Sequence, residues 1–359
     1  MKIGIIGLGT VGQGVAALLE RHRDLYAARA GQHLHITAAL VRNTARAREL
    51  TPHAALITSD EDLFFAQHTD LIVEVAGGVP VARALVTRAI DEGRDVITAN
   101  KALLADSGPQ LFALAEKRRR RIFFEAAVAG GVPVIKLITD SLASNSLSDF
   151  TGILNGTCNF ILTAMQQGGD YADALRKAQH LGYAEADPTL DVSGRDSLEK
   201  LAILAALAFG GPADPDAVQH APITQLTRSD LERARQQGGV LKLLACARRT
   251  DTAIELWNGP AFLPDHSPLA RVAGASMALR ARGDAVPDIF ISGEGAGRFP
   301  TASAVVADIL EAARLWSLRP AAPARLNHWP VAAPPLRIAP WSGPFLRSER
   351  DTPIAQFTE

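Results

Sequence analysis

Apolar residues in the first third of the chain come in short runs separated by amphipathic stretches. Ile3-Gly4-Ile5-Ile6 reads as a buried strand, and residues 11–19 read as the helix that follows it. Strand patterns recur at 34–41, 70–75, 95–98 and 122–125, with helical spacing at 81–90. Such alternation predicts a parallel sheet with helices on both faces. After Gly131 the pattern changes. Helical spacing appears at 132–142, 160–165, 171–181 and 196–208, and strand-like runs at 150–154, 240–247, 253–257 and 289–292. This is a mixed α+β region, read as a sheet covered by helices on one side. Helical periodicity returns at 301–315. From Ser317 onward proline is frequent (Pro320, Pro323, Pro330, Pro334, Pro335, Pro340, Pro344, Pro353). That density excludes regular helix, because proline lacks the amide donor and clashes with the preceding turn. The tail is expected to wrap the surface as extended chain or to be partly disordered.

The first strand ends in Gly7-Leu8-Gly9-Thr10-Val11-Gly12, a G-x-G-x-x-G placed between a strand and a helix. In that context the first glycine permits a tight turn, the second admits a pyrophosphate to the backbone, and the third allows close helix–sheet packing. The helix N-terminus then faces the phosphate charge. The fold class is therefore α/β, a Rossmann-like doubly wound parallel sheet with an inserted α+β domain. The expected divisions are a nucleotide-binding domain at 1–130, a substrate-binding and dimerisation domain at 131–295, a helix returning at 296–316, and a Pro-rich tail at 317–359. An Asp or Glu at the end of the second strand would favour NAD, through the ribose hydroxyls. The strand ends instead in Val41-Arg42-Asn43. Arg42 could pair with a 2′-phosphate, which points to NADP with NAD still possible; the plain alternative is a surface arginine beside Arg46 and Arg48.

Composition narrows the partners. The chain has 359 residues, a formal net charge of -1 and 47% hydrophobic residues, enough for two cored domains. Near-neutral charge argues against nucleic acid as a partner. The basic run Lys117 to Arg121 fits a solvated helix C-terminus, where cations suit the dipole. Met1-Lys2 leads directly into an apolar strand and a glycine turn, with no targeting signal, and no run is long enough to span a membrane. Two cysteines, Cys158 and Cys246, are too few for a disulfide framework or a structural zinc site. A cytoplasmic protein is expected.

Several strings, in order, resemble the homoserine dehydrogenase family: DLIVEVAGG at 70–78, ITANKALL at 97–104, FEAAVAGGVP at 124–133, GILNGTCNFIL at 152–162, GYAEADP at 182–188, DVSGRDSLEKL at 191–201, GEGAG at 293–297 and PTAS at 300–303. The resemblance covers residues 1 to about 316, and the strings between Asn155 and Lys200 are its most specific part. It implies reversible reduction of L-aspartate 4-semialdehyde to L-homoserine, a step toward threonine and methionine, by a homodimer. By resemblance Lys200 is the proton donor to the carbonyl oxygen, and Asp196 contacts substrate. Their four-residue spacing places them on one helix face, which alone would suggest an ordinary surface ion pair. A lysine can act as donor when partial burial eases loss of its proton. Lys101, after Thr98-Ala99-Asn100 at the carboxyl edge of the sheet, is a second candidate for the proton step. Glu185 is implied to bind the substrate ammonium. Thr98, Gly182 and Gly297, with Gly7, Gly9, Thr10, Val11, Gly12 and Arg42, are implied to lie against the cofactor. The carbonyls of Glu125, Val128, Gly130 and Val132 match a segment that holds a monovalent cation, usually sodium.

The sequence also departs from the family. Cys158 stands where threonine is usual and Phe160 where tyrosine is common, and an asparagine often found near Met277 is missing. The tail is too short for the regulatory ACT domain of many relatives, so threonine feedback through such a domain is not expected. Two other readings compete. One is an aldehyde dehydrogenase with Cys158 as nucleophile, which lacks a histidine partner in its motif. The other is an NADP-binding sensor that kept the fold without the activity.

Overall fold

The computed structural model describes residues 1–50, 56–317, 327–331, 333–347 and 353–357. Pro320 and Pro323 of the expected tail lie outside the described residues. The chain divides into two units, Met1–Pro133 with Gly297–Ala332, and Val134–Ala296 with Ala333–Glu359.

The first unit contains six strands: β1 (Lys2–Ile6), β2 (His35–Leu40), β3 (Leu56–Thr58), β4 (Leu71–Glu74), β5 (Asp95–Thr98) and β6 (Ile122–Phe123). They pair in parallel in the order β3-β2-β1-β4-β5-β6. The order reverses between β1 and β4, the point at which doubly wound sheets bind ligands. The intervening helices are α1 (Thr10–Arg21), α2 (Arg23–Ala30), α3 (Thr44–Leu50), α4 (Glu61–Phe65), α5 (Pro80–Asp91) and α6 (Lys101–Arg118).

Side-chain alternation along β1 explains its two-sided burial. Ile3 and Ile5 join a core with Val15 and Leu19 of α1 and with Val305 and Ile309 of the late helix Arg298–Ser317. Gly4 faces the other way, where a Cβ would sit 2.8 Å from Ile72 and 2.9 Å from Phe64. The late helix returns to pack on α1 at Gly14, where a Cβ would lie 2.8 Å from the Ala302 side chain. From the tail, Trp329 stacks on Phe112 at 4.9 Å between ring centroids and meets Phe124 edge-on at 6.1 Å. Beside it the Asn327 carboxamide accepts from the Ile122 amide at 2.8 Å and donates to Glu116.

The second unit begins with α7 (Val134–Lys136), which runs into a π-helical stretch, Leu137–Ser141, where one continuous helix was expected. Its sheet contains β7 (Leu147–Ile153), β8 (Gln219–His220), β9 (Gly239–Arg249), β10 (Ile254–Pro264), β11 (Ser276–Gly283), β12 (Ile289–Glu294), β13 (Ile338–Pro340), β14 (Phe345–Arg347) and β15 (Pro353–Gln356). The main order is β12-β11-β7-β9-β10-β15-β14, with β8 and β13 also paired to β10. The helices are α8 (Gly156–Gln166), α9 (Tyr171–His180), α10 (Thr189–Val192), α11 (Arg195–Phe209) and α12 (Arg228–Gln236). Ile161, Leu162 and Met165 of α8 pack with Ala174 and Ala178 of α9 and with Leu241 and Leu243 of β9.

Further features of this unit differ from the sequence reading. β10 extends well past residue 257, and β11, in which Arg280 and Arg282 alternate with buried Leu279 and Ala281, is absent from the sequence reading. Both arginines find carboxylates, Asp288 and Asp149. The proline-rich tail is also not a separate surface segment. Three of its stretches add strands to this sheet, with Pro340 at the end of β13 and Pro353 at the start of β15. Strand ends tolerate proline because the missing donor need not serve the ladder. No helix among the described residues is long and apolar enough to cross a membrane.

Candidate active site

In the first unit the glycine turn has the shape a pyrophosphate requires. Gly7 has φ +97°, and a Cβ there would lie 2.7 Å from the Ala76 backbone. A Cβ on Gly12 would lie 2.1 Å from the Gly7 carbonyl oxygen. Gly9, by contrast, has nothing within 4 Å of its would-be Cβ. Its absent side chain leaves open the approach to the first turn of α1, where Thr10 and Val11 begin the helix with no acidic residue and no side-chain cap. An anion suits that terminus. Arg42 is exposed just beyond β2, with no partner among the described residues.

Opposite β1, the end of β4 holds a residue to which the sequence reading gave no role. Glu74 is fully buried. Its carboxylate accepts from the Ala76 and Gly77 amides at 2.9 and 3.2 Å and from the Thr98 hydroxyl at 2.7 Å. Burial raises its pKa above the ordinary value, and these hydrogen bonds oppose that rise without cancelling it. Thr98 is equally buried, and its oxygen also accepts from the Asn100 amide at 3.0 Å. The Thr98 hydroxyl expected against the cofactor is thus engaged inward, holding the 76–78 loop. Asn100 donates to the Gly78 carbonyl at 2.7 Å and caps α6 by accepting from the Leu103 amide. Lys101, half-buried, is the first residue of that capped helix. Gly297, at φ +108°, opens the late helix, with its carbonyl accepting from the Thr301 amide. Residues 125–130 are buried, the Glu125 amide donates to Asp308 Oδ2 at 3.0 Å, and Ala129 and Gly130 have positive φ of 56° and 43°. This curled, water-poor backbone suits a cation held by the carbonyls of Glu125, Val128, Gly130 and Val132. Among the described residues no cluster of three His, Cys, Asp or Glu side chains could hold a metal.

In the second unit the end of β7 leads into Asn155, the N-cap of α8, whose Oδ1 accepts from the Cys158 amide at 2.7 Å. Its Nδ2 donates at 2.7 Å to both Asp191 Oδ1 and Asp196 Oδ2. Lys200 donates from Nζ to Asp196 Oδ2 at 2.9 Å and to the Leu154 carbonyl at 2.7 Å. Only 9% and 12% of the Lys200 and Asp196 side chains are exposed, so this is no solvated surface pair. Asp196 lies in the first turn of α11, where the helix dipole favours a carboxylate. Asn258 fixes that turn, donating to the Gly194 carbonyl at 2.9 Å and accepting from Ser197 at 2.6 Å.

The structure therefore brings Lys200 and Asp196 together and adds Asp191 and Asn155, which sequence spacing could not pair. Glu185 is not part of this contact. It lies on the exposed loop after α9, anchored through its carbonyl by Gln179 Nε2 at 3.2 Å. The same loop begins at Gly182 (φ +75°) and is tied to α8 where the Thr157 hydroxyl donates to the Tyr183 carbonyl at 2.6 Å. Cys158 is wholly buried, and its Sγ donates to the Asp191 carbonyl at 3.2 Å. Burial, then the neighbouring Asp191 and Asp196, push its pKa well above the usual thiol value. A thiol held protonated is a poor nucleophile, which removes the basis for cysteine catalysis.

Residues 133–310 match the family model "Homoserine dehydrogenase", and residues 7–125 match "Homoserine dehydrogenase, NAD binding domain". The chain is 43% identical to the homoserine dehydrogenase of Neisseria gonorrhoeae, over 88% of this chain and 73% of that one. The chain belongs to the homoserine dehydrogenase family. Its members are oxidoreductases that act on a CH–OH group, and the NAD-binding domain matched at residues 7–125 goes with a nicotinamide cofactor. Among solved structures it superposes on a homoserine dehydrogenase from Thiobacillus denitrificans with a TM-score of 0.90 and 41% identity, covering 95% of this chain and 79% of that one. A hyperthermophilic archaeal homoserine dehydrogenase in complex with NADPH matches with a TM-score of 0.73 and 25% identity, covering 87% and 97%.

Proposed function

We propose that this protein interconverts L-aspartate 4-semialdehyde and L-homoserine, with NADP preferred over NAD, as a step toward threonine and methionine. The observation that carries the reading is the buried Lys200–Asp196–Asn155–Asp191 cluster. It offers one ammonium and two carboxylates at a single place, which complements an amino acid that must also exchange a proton. When bound, a reduced nicotinamide would supply the hydride that the carbonyl carbon takes up. Lys200 gives a proton to the carbonyl oxygen as the C–H bond forms, and takes one back in the reverse direction. Asp196 holds the Lys200 ammonium by accepting from it, and Asp191 and Glu185 supply negative charge for the substrate ammonium. Arg42 pairs with the 2′-phosphate, and Glu74 and Thr98 hold the 76–78 loop. Lys101, heading α6, serves the nicotinamide and substrate end of the cofactor and is the second candidate for the proton step.

Support for NADP comes from Arg42 at the end of β2 and from the archaeal relative solved with NADPH. The direct test is loss of nicotinamide absorbance when the protein meets NADPH and L-aspartate 4-semialdehyde, repeated with NADH. Semialdehyde-dependent oxidation, faster with NADPH, is the expected result. Tight NADPH binding without turnover would return the sensor reading. We also propose a sodium ion at residues 125–132 in a structural role, tested by whether sodium, but not choline, raises the melting temperature. A homodimer is proposed from the family resemblance, and a monomeric mass in sedimentation would refute it.

A further inference from the structure

β9 carries a lysine where an apolar residue would be expected. Lys242 is 1% exposed and pairs across the sheet with Ala261. By alternation it shares a sheet face with Leu244 and Cys246. Its ammonium donates to Asn159 Oδ1 at 2.9 Å and to the Val272 carbonyl at 2.6 Å, both neutral oxygens. Among the described residues it has no counter-ion. Asn159, also 1% exposed, donates from Nδ2 to the carbonyls of Val272 and Ser276 at 3.2 and 3.1 Å. The two side chains thus clamp the 272–276 loop to the first turns of α8. The same loop presses on the start of the helix, where a Cβ on Gly156 would lie 2.5 Å from the Ala275 carbonyl oxygen.

Asn159 is one helical turn beyond Asn155, the residue that bridges Asp191 and Asp196. The Leu154 carbonyl that accepts a hydrogen bond from the Lys200 ammonium immediately precedes Asn155. Any shift of the α8 N-terminus therefore moves the partners of both carboxylates and of Lys200. We propose that Lys242 is a positioning residue for the substrate cluster, acting through Asn159 and the 272–276 loop. The proposal rests on the reading that the cluster binds the semialdehyde.

Stability alone does not explain this lysine. A buried ammonium without a counter-ion is expensive to desolvate, and an apolar side chain of similar volume would remove that penalty. Burial alone lowers the Lys242 pKa, to about 8. The elements packed on β9 carry Asp196, Glu199 and Lys200 on α11, Asp230 and Arg233 on α12, Cys158 on α8, Glu255 on β10 and Asp149 on β7, and the loop that holds Val272 carries Asp265, His266 and Arg271. None of them shifts it. The sign follows. The folded pKa lies below that of an unfolded lysine, so the folded state binds fewer protons, and stability rises as pH climbs through about 8. At neutral pH the ammonium opposes folding while it holds the clamp.

The test compares Lys242→Met, Lys242→Gln, Asn159→Ala and the double variant Lys242→Met/Asn159→Ala in the full chain. For Lys242→Met we expect a melting temperature at neutral pH equal to or above wild type, and unchanged NADPH binding. Its KM for the semialdehyde should rise by about tenfold to a hundredfold. In the wild type that KM should climb as pH passes about 8, and the climb should be missing from both lysine variants. The double variant should be no worse than Asn159→Ala, because one residue acts through the other. A wild-type KM in Lys242→Met overturns the proposal. So does a loss of KM that keeps step with loss of melting temperature and NADPH binding, as does a variant that cannot fold, since the ammonium would then be supplying stability. Absence of turnover in the wild type would instead overturn the assigned reaction, and this proposal with it.

Discussion

Lys200 and Asp196 show how burial changes the meaning of a spacing. Four residues apart on a helix, an exposed pair contributes little. Here both are largely buried, and Lys200 also binds the Leu154 carbonyl. Removing the ammonium removes the proposed proton donor, so Lys200→Ala should lower kcat by about 10²–10⁴-fold. NADPH affinity, measured by fluorescence titration, should change little; near-normal turnover would exclude Lys200 from the proton step. Arg42 belongs to a different part of the chemistry. A charge-assisted contact to the 2′-phosphate contributes about 1.5–3 kcal/mol, so Arg42→Ala should lower kcat/KM for NADPH by about tenfold to a hundredfold and leave that for NADH nearly unchanged. Equal losses with both cofactors would show that Arg42 does not read the phosphate. Both residues were visible in the sequence, Lys200 through the family string and Arg42 through its place after a strand. Asp191 and Asn155 stood in the same strings without roles, because only the fold brings the start of α8 to the start of α11.

At the scale of elements, the ends of helices and strands carry the site. Asn155 does two jobs, capping α8 and bridging two carboxylates. Asn155→Ala should cost about 0.5–2 kcal/mol in denaturant unfolding through the lost cap. It should also raise KM for the semialdehyde, since Asp191 and Asp196 lose the donor that holds them together. A stability loss with unchanged KM would confine Asn155 to a capping role. The β4 and β5 ends are organised by Glu74. Its pKa is raised in the folded protein, chiefly by burial. The stability this proton contributes is present below the ordinary carboxylate range and is lost as pH rises through the folded pKa. Wild type should therefore lose stability relative to Glu74→Gln as pH rises from the acid range toward neutrality, and parallel stability curves would contradict this. The strand–glycine–helix pattern of β1 and α1 was legible because it is local. Glu74 was not, because an Asp-Leu-Ile-Val-Glu-Val run gives no sign that its last carboxylate turns inward to serve three neighbours.

For the whole molecule, the chain passes between its two units more than once, leaving the first at Pro133, returning at Gly297 and leaving again after Ala332. The late return brings Trp329 to Phe112 and Phe124 within the first unit. Trp329→Ala removes that buried stack and should cost about 3–5 kcal/mol of stability, read by chemical denaturation. A loss below about 1 kcal/mol, near the scale of a surface change, would show that the tail is not part of this core. The sequence by itself determined what depends on near neighbours: the βα order, the glycine turn, the absence of a 2′-hydroxyl-binding carboxylate after β2, and the family strings. Tertiary structure decided what depends on residues far apart in the chain. It buried Lys200 against Asp196, joined Asp191 to them through Asn155, set the Lys242 ammonium against the neutral oxygens of Asn159 and Val272, and turned a proline-rich tail into sheet edges and an aromatic anchor. The physical reason is that burial and hydrogen-bond partnership are properties of packed surroundings, and periodicity records only which face a residue takes.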